Sequence, residues 1–188
     1  MRTADDPATA SAGPADPPLL DAFRDLHGSR LHGFALLLTL GDRSSAAQLA
    51  AEAIAAGADR LGELRHPERA AAWLRARVVR GAGGDDRRLR ASQRLAALAE
   101  LGVGPAVLAG LSALSRSERA GLIATAIERL DRRDVAGIVG RDGDRLDSLL
   151  RRARRRYLAG AAATTDALEG PPGPIRERIA ASAARTMA

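Results

Sequence analysis

Arginine side chains are concentrated in the segment DVAGIVGRDGDRLDSLLRRARRRY, which covers residues 134–157. Its apolar spacing and its central glycine predict two short helices joined by a turn. A planar guanidinium group donates paired hydrogen bonds to phosphate and to guanine. Arg141, Arg145, Arg151 and Arg152 fall on the turn and the second helix, so this element has the chemistry to bind nucleic acid.

Three aspartates in the same segment oppose that chemistry. Asp142 and Asp144 fall in the first turn of the second helix, where a carboxylate caps free N–H groups and favours the helix dipole. Asp147 lies one turn further on, where a carboxylate repels phosphate but can accept a hydrogen bond from the amino group of cytosine. The segment therefore predicts a DNA-binding shape with an atypical surface.

Catalytic chemistry has few candidates in this sequence. The histidines are His27, His32 and His66, and cysteine is absent, which excludes disulfides and thiolate metal sites. The glycines of GAGG are not followed by Lys-Ser or Lys-Thr, as a nucleotide-binding loop requires. We expect no enzymatic activity, no cofactor and no metal site.

The composition indicates which elements position the arginines. Apolar residues make up 46% of the chain and aromatic residues only 2%, so Ala, Leu, Val and Ile must build the core. No stretch alternates apolar and polar residues as a strand would, and the sequence therefore predicts an all-α protein. The formal net charge is +6, which attracts polyanions, although a GC-rich genome would also produce an arginine-rich chain without lysine.

The first half of the chain has the apolar period of a helical bundle. A first helix begins at Leu19, the polar stretch HGSR interrupts it, and a second helix ends at Gly41, where a C-terminal glycine usually lies. A third helix follows with Ser44 or Ser45 as its cap, and a fourth begins at Pro67.

The second half predicts another small module, built around the arginine-rich segment. A small residue, a turn glycine and an apolar anchor follow one another at Ala136, Gly140 and Leu146, as in a helix-turn-helix unit. Ser115 and Glu118 form a capping-box pattern upstream of it. The predicted division is a disordered tail at 1–17, a helical domain at 18–82, a linker at 83–106, a helix-turn-helix domain at 107–159 and a C-terminal extension at 160–188.

Both halves resemble bacterial sigma factors of the extracytoplasmic-function class. The first domain of that family is similar to FRDLHGSRLHGFALLLTLGDRSSAAQLAAEAIAAGADRL, at 23–61, and to RHPERAAAWLRARVV, at 65–79. The C-terminal domain is similar to the segment at 111–158. The residues that match its pattern are Leu111, Leu114, Glu118, Arg119, Leu130, Val135, Ala136, Val139, Gly140, Ser148, Leu150, Arg152, Ala153 and Arg154.

The resemblance implies a subunit that binds RNA polymerase core and directs it to promoter DNA. The first domain would contact the −10 element and the second would enter the major groove at the −35 element. The implied DNA-binding residues are Arg132, Arg133, Arg141, Arg145, Asp147, Ser148, Arg151 and Arg152 in the second domain and Arg77, Arg80, Arg87 and Arg88 in the first. The implied core-polymerase-binding residues are Asp42, Gln48 and Glu52.

Several positions depart from the family. Leu149 stands where a basic residue is usual, which removes a phosphate contact, and Arg75 extends the basic path of the first domain. Alanines replace several acids around Gln48, and Trp73 is interpreted as a core residue. These departures keep a second function open, a degenerate sigma-like protein that acts through protein–protein interaction without promoter recognition. A third is a DNA-binding regulator that uses the second domain alone.

The expected partners are RNA polymerase core and promoter DNA, with an anti-sigma factor as a further candidate. No apolar run reaches the length of a membrane span or of a signal peptide, so we expect a cytoplasmic monomer without membrane contact. The C-terminal stretch from Ile175 to Met187 is amphipathic. It is either a frayed tail helix or a segment that folds back on one of the domains.

Overall fold

The computed structural model describes residues 17–61, 63–64, 66–83 and 89–165. These residues form eight α-helices and no strand, so the all-α prediction is confirmed for the described part of the chain. A 3₁₀ turn follows α4 at Ala99–Leu101, and a π-helical turn continues α6 at Ile123–Ile127. The helices are α1 (Pro17–Leu38), α2 (Arg43–Ala58), α3 (Pro67–Gly81), α4 (Ala91–Leu98), α5 (Pro105–Ser112), α6 (Arg116–Leu122), α7 (Arg132–Val139) and α8 (Gly143–Thr165).

Helix α1 is continuous over 22 residues, so the predicted interruption at HGSR is wrong. Its buried stripe passes through that stretch without losing register, because Phe23, His27, Leu31, Phe34 and Leu38 are spaced by three or four positions. A glycine inside a helix costs about 1 kcal/mol relative to alanine. Burial of apolar side chains on both sides of HGSR offsets that cost.

Helix α2 begins at Arg43 and is capped by Asp42, not by Ser44 or Ser45 as predicted. The Asp42 carboxylate accepts hydrogen bonds from the Ser45 backbone N–H at 3.0 Å and from the Ser45 hydroxyl at 2.9 Å. Aspartate precedes both serines in the chain and satisfies a free N–H group in the first turn of the helix. Helix α3 begins at Pro67, as predicted.

The buried side chains form one continuous apolar core that extends from Phe23 to Ala161. In the first half of the chain, α1 packs against α2 and α3; in the second half, α5 and α6 pack against α8. Helix α3 also packs against α7, and α1 contacts α6. The first and second halves of the chain are therefore in direct contact.

Helix α8 extends to Thr165, beyond its predicted end near Ala159. Close packing against α5 explains the difference. A Cβ atom on Gly160 would lie 2.9 Å from the Ala113 Cβ atom, and one on Gly110 would lie 2.6 Å from the ring of Tyr157. Since only glycine permits such close approach, the two helices stay in contact as far as Gly160, beyond the predicted end of α8.

Gly28 and Gly41 provide a matched test of these local arguments. A Cβ atom on Gly28 meets nothing within 4 Å, so Gly28→Ala is expected to stabilise the protein by about 1 kcal/mol. Gly41 has a φ of +87°, and its Cβ atom would lie 2.9 Å from the Arg94 carbonyl oxygen, so Gly41→Ala is expected to destabilise by about 1–3 kcal/mol. Urea unfolding followed by circular dichroism measures both. If both substitutions changed the free energy of unfolding in the same direction, the roles given to Gly28 and Gly41 would be contradicted.

Of the helices in the described part of the chain, none is by itself long and apolar enough to cross a membrane. The segments Ala91–Leu101 and Pro105–Ser112 reach that length and composition only together, across a bend of 110°.

Candidate nucleic-acid interface

Helices α7 and α8 are joined by a turn at the predicted glycine, Gly140. The Asp131 carboxylate caps α7 by accepting a hydrogen bond from the Asp134 N–H at 2.8 Å. Gly140 ends α7 in the left-handed region, with a φ of +65°, and its N–H donates to the Ala136 carbonyl. Leu146, the predicted apolar anchor early in α8, is fully buried in the core.

One face of α8 is buried in the core and the opposite face is exposed. The buried residues are Leu146, Leu149, Leu150, Ala153, Tyr157 and Ala161. Arg145, Ser148, Arg151 and Arg155 lie on the exposed face, and Arg141 is exposed in the turn before the helix. Arg145 and Arg151 of the predicted set thus lie with Arg155 on one solvent-facing ridge of α8, and Arg141 is exposed in the turn that precedes the helix.

The burial of Leu149 corrects the interpretation of that position. Leu149 is 2% exposed, and it packs against Gly121 of α6, where an added Cβ atom would lie 3.1 Å from the leucine methyl group. A side chain here cannot contact DNA, whether basic or not. The leucine therefore contributes to packing and does not remove a contact from the exposed ridge.

Asp147 lies on the flank of α8 that faces α7, and it is engaged by Arg132. The guanidinium group donates to both carboxylate oxygens, at 2.8 Å for the Nη2–Oδ2 pair, and to the Gly143 carbonyl at 3.2 Å. Hydrogen bonds from Arg132 hold the pKa of Asp147 below its ordinary value, and the charges of Arg132, Arg151 and Arg154 act in the same direction. Two of the predicted DNA-binding residues are therefore paired with each other.

Arg152 has an internal partner as well. Its Nε donates to Glu118 Oε1 at 2.6 Å, and Arg156 Nη1 donates to Glu118 Oε2 at 2.9 Å. The Glu118 side chain is 2% exposed, whereas the two arginines are half-exposed. The sequence identified Glu118 only as a cap; its second role, linking α6 to α8, needs a contact between residues far apart in the chain.

The arginines assigned to the first domain differ in their exposure to solvent. Arg77 and Arg80 are exposed on α3, whereas Arg87 and Arg88 lie outside the described residues. Arg75 is 3% exposed and paired with Glu128, so its proposed place in a basic path along the surface is wrong. The carboxylate of Glu128 compensates the buried charge of Arg75 and leaves no route to phosphate.

Arg80 and Arg133 line the same depression between α3 and α7, with a volume of about 440 Å³. Arg69 lies at the same depression, and Trp73 forms part of its wall. Trp73 is half-buried and packs against the core, in agreement with its predicted structural role, while the Arg60 guanidinium lies 5.8 Å from its ring centroid. Residues assigned to two different promoter elements are thus adjacent in this arrangement.

The residues assigned to polymerase binding line a second depression, of about 310 Å³, beside α2. Asp42 is 6% exposed and is used as the cap of α2, so its carboxylate is directed into the protein. Gln48 and Glu52 are exposed and joined by a hydrogen bond of 2.9 Å. Arg116, from α6, borders the same depression and donates to the Gly83 carbonyl. Gln48 and Glu52 are therefore the two members of this set that a partner can reach.

Among the described residues, no three His, Asp or Glu side chains come together in a way that could hold a metal ion. No protein-family model, curated protein or solved structure matches this chain.

Proposed function

We propose that this protein is a sigma-type transcription initiation factor, with α8 as its DNA-recognition helix and α2 as part of its contact with RNA polymerase core. The observation that carries the proposal is the exposed arginine ridge of α8, formed by Arg145, Arg151 and Arg155, with Arg141 exposed in the turn before it. The polymerase contact rests on the sequence resemblance together with the exposure of Gln48 and Glu52.

The dimensions of the ridge suit the major groove of DNA. Arg145 and Arg155 are separated by about 15 Å along α8 at about 1.5 Å per residue. The groove is about 12 Å wide, so arginines along the exposed face of one helix can contact base edges and the phosphates on either side. The buried face of α8 packs on α5 and α6, which holds the helix at the surface of the protein.

The double variant Arg145→Ala/Arg151→Ala tests the DNA contact. Binding to a fluorescein-labelled, mixed-sequence duplex of about three helical turns is measured by anisotropy between about 50 and 200 mM salt. Each lost phosphate contact lowers the slope of log K against log salt by about 0.9, so the double variant is expected to bind more weakly with a slope reduced by about 1.8.

The control is Arg24→Ala/Arg43→Ala, which removes the same charge from exposed positions on α1 and α2. It should change the affinity only slightly, because these arginines lie outside the ridge and are proposed to make no phosphate contact. Equal losses in the two double variants would show that net charge alone attracts DNA. That result, or a wild-type protein that does not bind the duplex, would contradict the proposal.

The packing of α3 against α7 favours a second candidate, a sigma-like protein that acts on a protein partner without promoter recognition. The −10 and −35 elements are about 25 base pairs apart, or about 85 Å of B-DNA at about 3.4 Å per base pair. Arg80 and Arg133 cannot contact both elements while they line one depression. A promoter-bound sigma factor must therefore separate α3 from α7, whereas an interaction protein can function in the packed form.

Fluorescence energy transfer distinguishes the two candidates. The chain has no native cysteine, so Ser44→Cys and Ser112→Cys, at exposed positions in the first and second halves of the chain, can be labelled selectively. A fall in transfer on addition of core polymerase and promoter-length DNA supports the sigma factor. Unchanged transfer with a bound partner supports the interaction protein.

A further inference from the structure

The ion pair between Arg132 and Asp147 crosses the helix-turn-helix unit. Arg132 is the first residue of α7, and Asp147 lies in the second turn of α8. The guanidinium group engages both carboxylate oxygens and also the Gly143 carbonyl at the start of α8. The Arg132 side chain is 58% exposed and that of Asp147 is 42% exposed, so solvent and ligands reach both.

We propose that Asp147 is an internal counter-ion that holds Arg132 back from DNA phosphate, so that exchange of Arg132 between carboxylate and phosphate sets the DNA affinity of this unit. The inference rests on the proposed function, in which α8 enters the major groove. It deepens that function by naming a residue pair that limits the strength of binding.

The chemistry of the exchange follows from the shape of the guanidinium group. A carboxylate and a phosphate both present two oxygens to its paired N–H donors, so each can replace the other. In helix-turn-helix proteins the first helix crosses the DNA backbone, which places a residue at the start of α7 close to phosphate. Arg132 therefore has two competing acceptors, one inside the protein and one on DNA.

The exposure of the pair makes the exchange easy. Ion pairs in contact with solvent are weak and are screened by salt, so a closely placed phosphate can displace the carboxylate. Arg151 and Arg154 also act electrostatically on Asp147 and remain near it after Arg132 leaves. The carboxylate is thus still compensated when Arg132 contacts DNA.

Asp144 provides a matched control for Asp147. It is exposed on the first turn of α8 and acts on Arg132 through its charge, but Arg132 donates its hydrogen bonds to Asp147. Asp147→Asn and Asp144→Asn remove the same charge from the same helix. A general loss of repulsion strengthens DNA binding in both variants, whereas release of Arg132 occurs only in the first.

The experiment measures anisotropy of the same labelled duplex with wild type, Asp147→Asn, Asp144→Asn and Arg132→Ala/Asp147→Asn. Asp147→Asn is expected to bind more tightly, with a salt slope steeper by about 0.9 because one more phosphate contact is made. The ratio of the DNA affinity of Asp147→Asn to that of wild type then falls about threefold between about 50 and 200 mM salt. Asp144→Asn should keep the wild-type slope, and the double variant should lose the extra contact.

The outcomes separate the inference from the proposed function. If wild type binds and the two Asn variants are alike, or if Asp147→Asn binds more weakly, Asp147 is not a counter-ion that restrains Arg132 and the inference alone is overturned. If neither wild type nor any variant binds the duplex, both are overturned. Circular dichroism melting establishes that each variant is folded, as we expect because Asp144 is exposed and Asp147 is half-exposed.

Discussion

Glu118→Ala is expected to lower the free energy of unfolding by about 3 kcal/mol at neutral pH. The carboxylate accepts hydrogen bonds from the Ser115 N–H, from Arg152 and from Arg156, so one buried side chain both caps α6 and joins it to α8. Removing one partner of a buried pair commonly costs 3–5 kcal/mol. The loss of stability is expected at the low end of this range because both arginines are half-exposed and can be solvated by water.

The effect of Glu118→Ala on the free energy of unfolding is expected to depend on pH. Burial raises the pKa of Glu118, but hydrogen bonds from Ser115 and Arg152 outweigh it and hold the pKa below its ordinary value. A lowered folded-state pKa contributes stability above the unfolded-state pKa, about 4.3, and this contribution is lost as the pH falls through the folded-state value. The difference between wild type and Glu118→Ala should therefore be full at pH 7 and shrink below about pH 4.

Urea unfolding at a series of pH values measures both effects. Glu100→Ala is the control, since Glu100 is exposed and lies 3.9 Å from Arg43, and it should change stability by less than about 0.5 kcal/mol. A loss of under about 1 kcal/mol in Glu118→Ala, or a difference independent of pH, would contradict the role assigned to Glu118.

Arg119→Met is expected to cost about 4 kcal/mol, more than Glu118→Ala. Arg119 is 4% exposed, and its guanidinium group donates to the carbonyls of Leu111 at 3.1 Å, Leu114 at 3.1 Å and Leu38. These carbonyls lie at or near the C-terminal ends of α1 and α5, where helix carbonyls lack intrahelical partners and a cation is favoured. Methionine fills similar space but leaves all three carbonyls without that donor.

Thermal and urea unfolding of Arg119→Met and Arg119→Lys test the prediction. Lysine retains the charge but not the planar fork that reaches several carbonyls, so it should recover only part of the loss. Arg155→Met, at an exposed position of α8, should stay within about 0.5 kcal/mol of wild type. If Arg119→Met were as stable as Arg155→Met, Arg119 would not be the link between α1 and α5.

Local sequence rules predicted several helix boundaries of this protein. The Ser115–Glu118 capping box, the start of α3 at Pro67 and the turn at Gly140 all depend on residues a few positions apart. Such signals act through the backbone of a single turn, so they can be recognised without knowledge of the fold. Gly28 shows their limit, because packing along the whole of α1 overrides a local helix breaker.

The exposed residues of the candidate site could be predicted from the sequence, but its ion pairs could not. Arg145 and Arg151 lie on the solvent side of α8 because the apolar period determines which face is buried. The partners of Arg75, Arg132 and Arg152 could not be predicted, since each lies 15 or more positions away in the chain. The sequence shows how many guanidinium groups the protein has. Only the fold shows which of them are already paired with a carboxylate.

The central claim, that this protein is an initiation factor of RNA polymerase, is tested most directly by binding to the core enzyme. Purified protein is mixed with core polymerase from the same organism and analysed by size-exclusion chromatography at moderate salt. We predict co-elution with the core enzyme, weakened in a Gln48→Ala/Glu52→Ala variant that remains folded. A folded, monomeric wild-type protein that elutes separately from the core enzyme would contradict the claim.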